Sequence, residues 1–476
     1  MQHFLKKLSV TAILSTTLLT NVFGFGTARR AFTATSLVDK SEDPIAITMD
    51  NLENMYRFAE RNYLYDIDTD KVYEAMAGAM LDAFGDDWTM FIPSEESTSY
   101  RDHRTGNYGG IGIYMTKLSP NKQVEGDPST MYITITSCFS GGPAERAGLR
   151  SKDMITHING ESVMNKNASE CAELLKGETG SILSLTILRG SKTFDIDIER
   201  EIVNVPTAQS TVLDDHIGYI KISEFSSITA TQVKEKLAPL SRMRDLKALI
   251  IDLRNNGGGD VKASVDIADY LIPGHKVIVS AIGKNSSRNE TQMTNEKSEK
   301  FNTDCPIIVL INSGTASASE ILSGALQDNK RAIIMGEKSF GKGVMQVSAP
   351  FGNGYVNVTS QEYKTPNGNK VNKVGITPDV VVKNKTNENE NVDELNRIAN
   401  NRVAEKYVDL HKDFTDKNIE NFVKANKFEY AISDYLLSII VLNEYLSRMD
   451  STDRPVAFPK YDNVLSEAIA YIQKNY

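Results

Sequence analysis

Few of the residues that build metal centres and disulfide frameworks occur in this sequence. Its 476 residues include three cysteines and six histidines. Cys138, Cys171 and Cys305 are too few and too scattered for a disulfide framework, and none stands in a C-x-x-C or metal-ligand spacing. We therefore interpret the cysteines as small core residues, and we predict neither a bound metal nor another cofactor.

Basic residues are fewer than acidic residues in this sequence. Lys and Arg number 53 against 62 Asp and Glu, which gives a net charge of -9 at pH 7. Nucleic-acid-binding domains usually carry a basic patch or an excess of basic residues, so this balance gives no indication of nucleic acid as a partner. The hydrophobic content of 40% is ordinary for globular protein, and the length suggests about three domains.

Long hydrophobic runs are missing except at the N-terminus. There, Lys6 and Lys7 precede an apolar stretch from about Leu8 to Phe25, which the small residues Gly26-Thr27-Ala28 follow. This order is typical of a secretory signal peptide. We therefore assign residues 1–28 to a signal peptide cleaved near Ala28, with an uncleaved anchor as the alternative. We expect an exported protein of the cell envelope, either periplasmic or extracellular.

Hydrophobic periodicity divides the remaining chain into regions of different type, which predicts an α+β multidomain protein. Apolar residues at helical spacing indicate an N-terminal helical region at 40–100. Short alternating strands with one helix fill 101–203 and predict a compact sandwich whose edge could accept an extended peptide. At 204–383, unbroken apolar strands alternate with amphipathic helices. This pattern predicts a mostly parallel sheet covered on both faces, with the functional site at the strand C-termini.

The remaining sequence predicts a linker and further helices. Residues 384–395 are rich in Asn, Glu and Lys with almost no apolar content, which is typical of a solvated linker. A C-terminal helical region follows at 396–476. Its apolar segment from Ala431 to Leu446 contains Asp434 and Glu444, so we predict a buried or subunit-interface helix rather than a membrane span.

Ser317 is the first candidate for chemistry. In "LINSGTASASEILSGAL" an apolar strand runs into small residues, and a helical pattern begins just after Ser317. One reading is structural, because Ser317 and Glu320 have the S-x-x-E spacing of a capping box. The other is catalytic, because a helix start presents free N–H groups, including that of Ala318, to an oxyanion on an attacked carbonyl.

Lys342 is the second candidate. The stretch "GEKSFGKGVMQ" begins like a phosphate-binding loop but has Gly343 where such a loop needs Ser or Thr, so we do not expect a nucleotide site. One predicted helix and one predicted strand separate Ser317 from Lys342, and a right-handed crossover would bring the two strand ends together. A lysine in a dry turn has a lowered pKa and can accept the serine proton. Gln346, four residues further, could orient the amine.

The third stretch, "DLRNNGGGDVKAS", places Gly257, Gly258 and Gly259 between a strand and a helix. Three consecutive glycines suggest close approach of the backbone to a ligand, and an N–H group here could be the second oxyanion donor. A Ser-His-Asp triad has less support. Apart from the weak case of His275, the histidines do not stand in comparable strand-end turns. A histidine distant from Ser317 in sequence stays an alternative base.

Together these stretches resemble the carboxyl-terminal processing proteases, which are exported serine endopeptidases with a Ser/Lys dyad and a PDZ domain. Further stretches also match motifs of that family in the expected order, over roughly Asp50 to Val382. They are "GDDWTMFIP", "SGGPAERAGLRSKDMITHING" and "YKTPNGNKVNKVGITPD". "GDDWTMF" departs from the family pattern, with Asp87 and Trp88 where Pro and an aromatic are more usual.

The resemblance implies a PDZ domain at 101–203 and a Ser/Lys protease core of crotonase/Clp-like α/β fold at 204–383. It implies that Ser317 is the nucleophile, Lys342 the general base and Gln346 the residue that assists Lys342. The N–H groups of Ala318 and of Gly257 or Gly258 would then form the oxyanion hole. In the PDZ segment, "GGIGI" stands where the family binds a substrate carboxylate, and this stretch contributes the residues Gly110, Ile111, Gly112 and Ile113.

The implied function is hydrolysis of peptide bonds through an acyl-enzyme on Ser317, in proteins whose apolar C-terminal tails bind the PDZ domain. Expected partners are such protein substrates and a regulatory protein. The composition of the C-terminal segment adds a second copy of the chain, bound through terminal helices. The alternative is a catalytically silent PDZ scaffold, in which Ser317 only caps its helix and Lys342 is solvated. A peptidase assay with Ser317→Ala as control distinguishes the two.

Overall fold

The fold is given by a computed structural model that describes residues 44–124, 126–302, 304–385, 391–449 and 453–476. The predicted signal peptide lies outside these residues. The chain forms two compact units, one up to Val72 and the other from Tyr73 to Tyr476. None of the helices within the described ranges is long and apolar enough to cross a membrane.

Helices dominate the first described residues, as the periodicity predicts. They are α1 (Pro44–Asn62), α2 (Thr69–Asp82) and α3 (Ser94–Thr105). A strand, β1 (Met90–Ile92), lies between α2 and α3. This strand lies within the region 40–100 that the periodicity predicts to be helical. Its three residues are too few for a period to be visible, and its pairing partner lies far away in sequence.

The next region is a small domain of antiparallel strands with three short helices. Its elements are β2 (Asn107–Gly110), β3 (Ile113–Thr116), α4 (Pro128–Met131), β4 (Ile133–Cys138), α5 (Pro143–Arg146), β5 (Met154–Ile158), β6 (Glu161–Ser162), α6 (Ala168–Leu175), β7 (Ile182–Arg189), β8 (Lys192–Glu199) and β9 (Glu201–Asn204). The main sheet has the order β3-β4-β5-β7-β8, so β3 is an edge strand. Alternate residues such as Ile133, Ile135 and Ile155 form the core.

Two sheets build the largest region. Its elements are β10 (Ala208–Leu213), β11 (Ile217–Ile222), α7 (Thr229–Ser241), β12 (Ala248–Asp252), α8 (Val261–Leu271), β13 (Val277–Gly283), β14 (Glu290–Met293), β15 (Ile307–Ile311), α9 (Ala318–Asp328), β16 (Ala332–Gly336), β17 (Val344–Phe351), β18 (Gly354–Lys364) and β19 (Val380–Val381). The first sheet, β10-β11-β12-β15-β16-β19, is parallel except for β10. This confirms the predicted parallel sheet. The second sheet is antiparallel and joins β1, β18, β13 and β14, with β17 also on β18.

Four helices follow the predicted linker and share a core of their own. They are α10 (Val392–Asn400), α11 (Val403–Leu410), α12 (Asp416–Asn426) and α13 (Asp434–Arg448). Helix α10 begins inside the predicted linker at 384–395, because the Asn391 side chain caps it by accepting the N–H groups of Asp393 and Glu394. Leu437 and Val441 of α13 are fully buried within this helical core, which favours the buried reading of that segment.

The last helix, α14 (Asn463–Asn475), packs against the parallel sheet. Leu249 and Ile251 of β12 face the side covered by α7, α8 and α9. The alternate residues Ala248 and Ile250 face the opposite side, where they share a core with Leu465 and Ala468 of α14. The sequence predicts a single helical region at 396–476 that includes this helix, because an amphipathic pattern does not reveal which surface a helix covers.

Candidate active site

Ser317 stands between β15 and α9 in an unusual backbone conformation, with φ 55° and ψ -116°. Residues other than glycine seldom adopt such angles, and they do so where the surroundings impose them, often at functional sites. Here the Ser317 carbonyl accepts hydrogen bonds from the N–H groups of Glu320 at 2.8 Å and Ile321 at 3.0 Å. The first turn of α9 thus fixes the serine backbone.

Glu320 joins the start of α9 to the loop that carries Lys342. Its fully buried carboxylate accepts the N–H groups of Ser317 at 2.8 Å, Gly341 at 2.7 Å and Lys342 at 2.9 Å. It also accepts the Ser339 hydroxyl at 2.5 Å. Burial raises the pKa of Glu320, and these hydrogen bonds oppose the shift. The S-x-x-E spacing indicated a helix cap, but it did not reveal that the carboxylate also binds the lysine loop.

Ser317 and Glu320 form a capping box at the start of α9. In such a box the glutamate side chain accepts the N–H of the capping residue. The Glu320 N–H also donates to the Ser317 backbone carbonyl at 2.8 Å. Capping accounts for the contact of Glu320 with Ser317, but not for the hydrogen bonds of the same carboxylate to the lysine loop.

Lys342 lies in the loop after β16, and the parallel pairing of β15 with β16 brings this loop beside Ser317. The Tyr363 hydroxyl lies 3.0 Å from the Ser317 carbonyl oxygen and 2.7 Å from that of Lys342, so it links the two segments. The Lys342 side chain is half-buried, and its Nζ is 3.7 Å from the centroid of the Trp88 ring. Burial lowers the pKa of Lys342, while the nearby Asp86 carboxylate acts in the opposite direction.

The glycine turn packs directly against Ser317. Gly258 has φ 100°, and a Cβ atom there would lie 2.7 Å from the Ser317 Cβ. Only glycine meets both conditions. The Gly258 N–H donates to the Asn256 side chain at 2.9 Å. The N–H groups of Gly257 and Ala318 donate to no acceptor in the described part of the chain. Two unused donors therefore flank the serine.

A buried charge cluster holds the strand that leads into this turn. The Arg254 guanidinium binds Asp252 through Nε at 2.9 Å and Asp462 through Nη1 at 2.8 Å. The Tyr219 hydroxyl donates to Asp252 at 2.7 Å. Arg254 and the hydrogen bonds hold the pKa of Asp252 below its usual range, although burial alone would raise it. Asp462 also caps α14. Sequence reasoning missed this contact, since the paired residues are distant in the chain.

Gln346 lies in β17 immediately after a shift in the pairing of that strand with β18. Such bulges redirect side chains and are frequent near active sites. The Gln346 amide nitrogen donates to the Thr359 hydroxyl at 3.2 Å. No hydrogen bond joins Gln346 to Lys342, although the structure describes both side chains. The residue thus lies at the site without the contact that the sequence suggested.

One cleft of about 1050 Å³ brings together five of the predicted site residues. Ser317, Lys342, Gln346, Gly257 and Gly258 all line it. Its apolar lining includes Val261, Val265, Val279, Ala281, Val344 and Met345. The described histidine side chains, which are those of His157, His216, His275 and His411, do not line the cleft. The arrangement offers a hydroxyl, an amine of lowered pKa and two N–H donors beside an apolar surface.

The predicted carboxylate loop joins β2 to β3. The Ile111 carbonyl accepts the Ala144 N–H at 2.9 Å, and the Gly112 carbonyl accepts the Phe139 N–H at 2.9 Å. The N–H groups of Ile111 and Gly112 have no acceptor among the residues that the structure describes. Gly110 ends β2, and Ile113 begins the edge strand β3. A chain terminus could therefore meet free N–H groups and then pair with β3.

Comparison with known proteins agrees with this architecture. Residues 216–382 match Peptidase family S41, and residues 134–189 match the PDZ domain. The chain is 33% identical over 336 residues to a "Probable CtpA-like serine protease" of Staphylococcus aureus (strain N315), covering 70% of this chain and 64% of that protein. It therefore spans just under two thirds of this relative.

Two further proteins extend the comparison. A Staphylococcus epidermidis protein with the same description is 28% identical over 370 residues, which cover 78% of this chain and 70% of the relative. A solved structure entitled photosystem II D1 C-terminal processing protease is 28% identical, with a TM-score of 0.40 over 70% of this chain and 86% of the other. With its S41 segment at 216–382 and its PDZ segment at 134–189, the chain is similar to CtpA-like serine proteases.

Proposed function

We propose that this protein is an exported serine endopeptidase in which Ser317 is the nucleophile and Lys342 the general base. One observation carries the proposal: Ser317, held in a strained backbone conformation, shares a cleft with a half-buried lysine and is flanked by two unused N–H groups. A helix cap needs neither the lysine nor the second donor. The silent scaffold therefore leaves most of this arrangement without a role.

The proposed reaction proceeds through an ester on Ser317. The neutral Lys342 amine accepts the hydroxyl proton while the serine Oγ attacks the carbonyl carbon of the substrate. The N–H groups of Ala318 and Gly257 stabilise the resulting oxyanion. We propose Gly257 rather than Gly258, because the Gly258 N–H already binds Asn256. The C–N bond then breaks, and the Lys342 ammonium returns its proton to the leaving amine.

Hydrolysis of the ester completes the cycle. Lys342, neutral again, accepts a proton from a water molecule that attacks the ester carbonyl, and the carboxylic acid product leaves as Ser317 regains its proton. During these proton transfers, Gln346 would orient the Lys342 amine. Its amide nitrogen is committed to Thr359, which leaves the amide oxygen to accept a hydrogen bond from Lys342.

Substrate selection is assigned to the PDZ segment at 101–203. We propose that the N–H groups around Ile111 and Gly112 bind the C-terminal carboxylate of a protein substrate with an apolar tail, which then pairs with β3. Export to the cell envelope rests on the sequence of residues 1–28. Assembly through terminal helices stays a prediction from the composition of the C-terminal segment, and control by a regulatory protein stays a prediction as well.

A peptide cleavage assay tests the proposal. The wild-type protein should cut an unstructured protein with an apolar C-terminus, and mass spectrometry should detect acylated Ser317 at early times. Ser317→Ala should abolish both signals while it keeps the thermal unfolding midpoint, because the loss of one hydroxyl leaves the backbone contacts of Ser317 intact. Equal cleavage by the two proteins would reject Ser317 as the nucleophile.

A further inference from the structure

The position of the Lys342 amine differs from what proton transfer requires. We propose that the indole of Trp88 holds Lys342 as an ammonium away from the Ser317 hydroxyl, in a resting arrangement that the base leaves when it becomes neutral. Trp88 is thus a positioning residue for Lys342. This inference rests on the proposed role of Lys342 as general base.

The first support is geometric. The Nζ atom lies over the ring face, 3.7 Å from its centroid. Tryptophan offers cations the most favourable aromatic face. No hydrogen bond joins the amine to the Ser317 hydroxyl, to Gln346 or to any other group that the structure describes. The ring is thus the partner of the amine in this arrangement, whereas a base poised for reaction would contact the hydroxyl.

The second support is that Trp88 is itself held in place. Its backbone N–H donates to the Asp86 carboxylate at 3.3 Å, and the Thr89 hydroxyl donates to the same carboxylate at 2.6 Å. Thr89 in turn accepts the N–H of Thr359 in β18 at 3.0 Å. The Phe340 ring meets the indole edge to face, with centroids 6.3 Å apart. The indole therefore offers a fixed surface to a flexible lysine side chain.

The charges around Lys342 decide which form of the amine this arrangement favours. Asp86 and the indole face favour the ammonium, and burial favours the neutral amine. The Glu320 carboxylate binds the backbone N–H of Lys342, and the Tyr363 hydroxyl binds its carbonyl. Other charged groups that line the cleft are Arg104, Glu224, Asp260, Lys262, Asp266 and Glu290. A neutral amine loses the attraction of the ring, so deprotonation and release toward Ser317 occur together.

The sequence allows an isosteric test, because Trp88 is its single tryptophan. Biosynthetic replacement by 5-fluoro-, 5,7-difluoro- and 5,6,7-trifluorotryptophan withdraws electrons from this one ring while it nearly preserves the ring's shape. Fluorine NMR of the full chain carrying Ser317→Ala should show a pH-dependent shift from the loss of the Lys342 proton. The midpoint should fall with each added fluorine, by about 0.5–1 pH unit over the series.

Two controls assign the signal. Lys342→Met removes the amine but keeps an unbranched apolar side chain, so the step should vanish. Asp86→Asn should shift the midpoint to lower pH, because it removes the carboxylate that favours the ammonium. A step that persists in Lys342→Met, or a midpoint that does not fall along the fluorine series, would overturn the inference.

The fluorine titration needs no turnover, so its outcome is independent of the proposed reaction. In protein with an intact Ser317, the acid limb of kcat/KM against pH should move to lower pH along the same series. Protein without peptidase activity that still shows the falling midpoint would reject the proposed reaction and support the contact. If the protein is active but the acid limb of its kcat/KM profile does not move along the series, the contact with Trp88 does not control the protonation of Lys342.

Discussion

At the scale of single residues, the proposed chemistry depends on whether Lys342 can lose its proton. Burial lowers its pKa below the ordinary value of 10.5, so activity should increase with pH through one ionisation below that value. Lys342→Arg should lower kcat by about a thousandfold or more, because a guanidinium keeps its positive charge but cannot accept the serine proton. The pH dependence of single-turnover cleavage measures both effects.

The double variant Ser317→Ala with Lys342→Arg is the control for this prediction. Groups that act as one unit are not additive, so the double variant should be little slower than either single variant. A Lys342→Arg protein with substantial activity would contradict the role of the lysine. In that case another group, such as a histidine brought in by a conformational change, would have to accept the proton.

Two neighbouring glycines give a matched pair of substitutions. Gly258→Ala should lower the free energy of unfolding by about 1–3 kcal/mol, because alanine is strained at φ 100° and its methyl group would overlap Ser317. It should also lower kcat/KM by about a hundredfold or more, since the serine must move relative to its donors. Chemical denaturation and peptide cleavage measure the two quantities.

Gly257→Ala is the control for Gly258→Ala. No heavy atom lies within 4 Å of the position that a Cβ would take at Gly257, and the substitution keeps the backbone N–H. We therefore expect nearly unchanged stability and an N–H donor that still works. Equal loss of activity in both variants would show that the close contact between Gly258 and Ser317 is not the reason why activity requires glycine in this turn.

At the scale of secondary structure elements, α14 and the glycine turn are connected through Asp462 and Arg254. Asp462→Ala removes both the helix cap and one carboxylate of the Arg254 cluster, while Asp462→Ser retains a capping side chain. The alanine variant should therefore be about 1 kcal/mol less stable than the serine variant. Both should lose kcat to a similar degree, because Arg254 then steadies the strand before the turn through Asp252 alone.

Thermal unfolding and kcat separate the two effects of Asp462. A fall in stability with unchanged kcat in both variants would mean that the cluster only attaches α14 to the sheet. The pH dependence of stability offers a second check. Because the pKa of Asp252 is lowered in the folded state, its contribution is present above the unfolded value of about 3.9 and is lost as the pH falls through the folded value.

The elements also show how far local sequence determines the site. Apolar strands followed by small residues predicted that Ser317 and Lys342 follow neighbouring parallel strands, and β15 and β16 confirm that neighbourhood. The glycine run suggested close approach of the backbone to a ligand, which stays a prediction, and the structure shows that Gly258 packs against Ser317. The contacts of Trp88 with Lys342 and of Asp462 with Arg254 were not predictable, because no periodicity relates residues so distant in sequence.

At the scale of the whole molecule, the proposed function requires a substrate to bind both the PDZ segment and the cleft. If the loop at Ile111 and Gly112 binds a chain terminus, a substrate with an amidated C-terminus should be cut about ten- to a hundredfold less efficiently than the same substrate with a free carboxylate. Hydrogen bonds to a charged group contribute about 1.5–3 kcal/mol. The loss should appear in KM, because the tail lies away from the reacting bond.

A cleavage series with one scissile sequence and varied tails measures this effect. An appended aspartate should also weaken binding, since it places a charge where an apolar side chain would lie. A short peptide that contains only the scissile sequence is the control, and amidation should not change its cleavage. Equal kcat/KM for all tails would assign another role to the PDZ segment.

The position of α14 bears on the order in which the molecule can mature. A chain synthesised as far as Tyr461 already contains Ser317, Lys342 and the glycine turn, but it lacks the helix that covers one face of the parallel sheet. Asp462 is absent as well, so Arg254 is incompletely paired. A chain of that length exposes the apolar sheet face that α14 covers in the complete fold. We expect proteolytic competence to arise only after α14 has docked on the sheet, so that cleavage begins only once the whole core has folded.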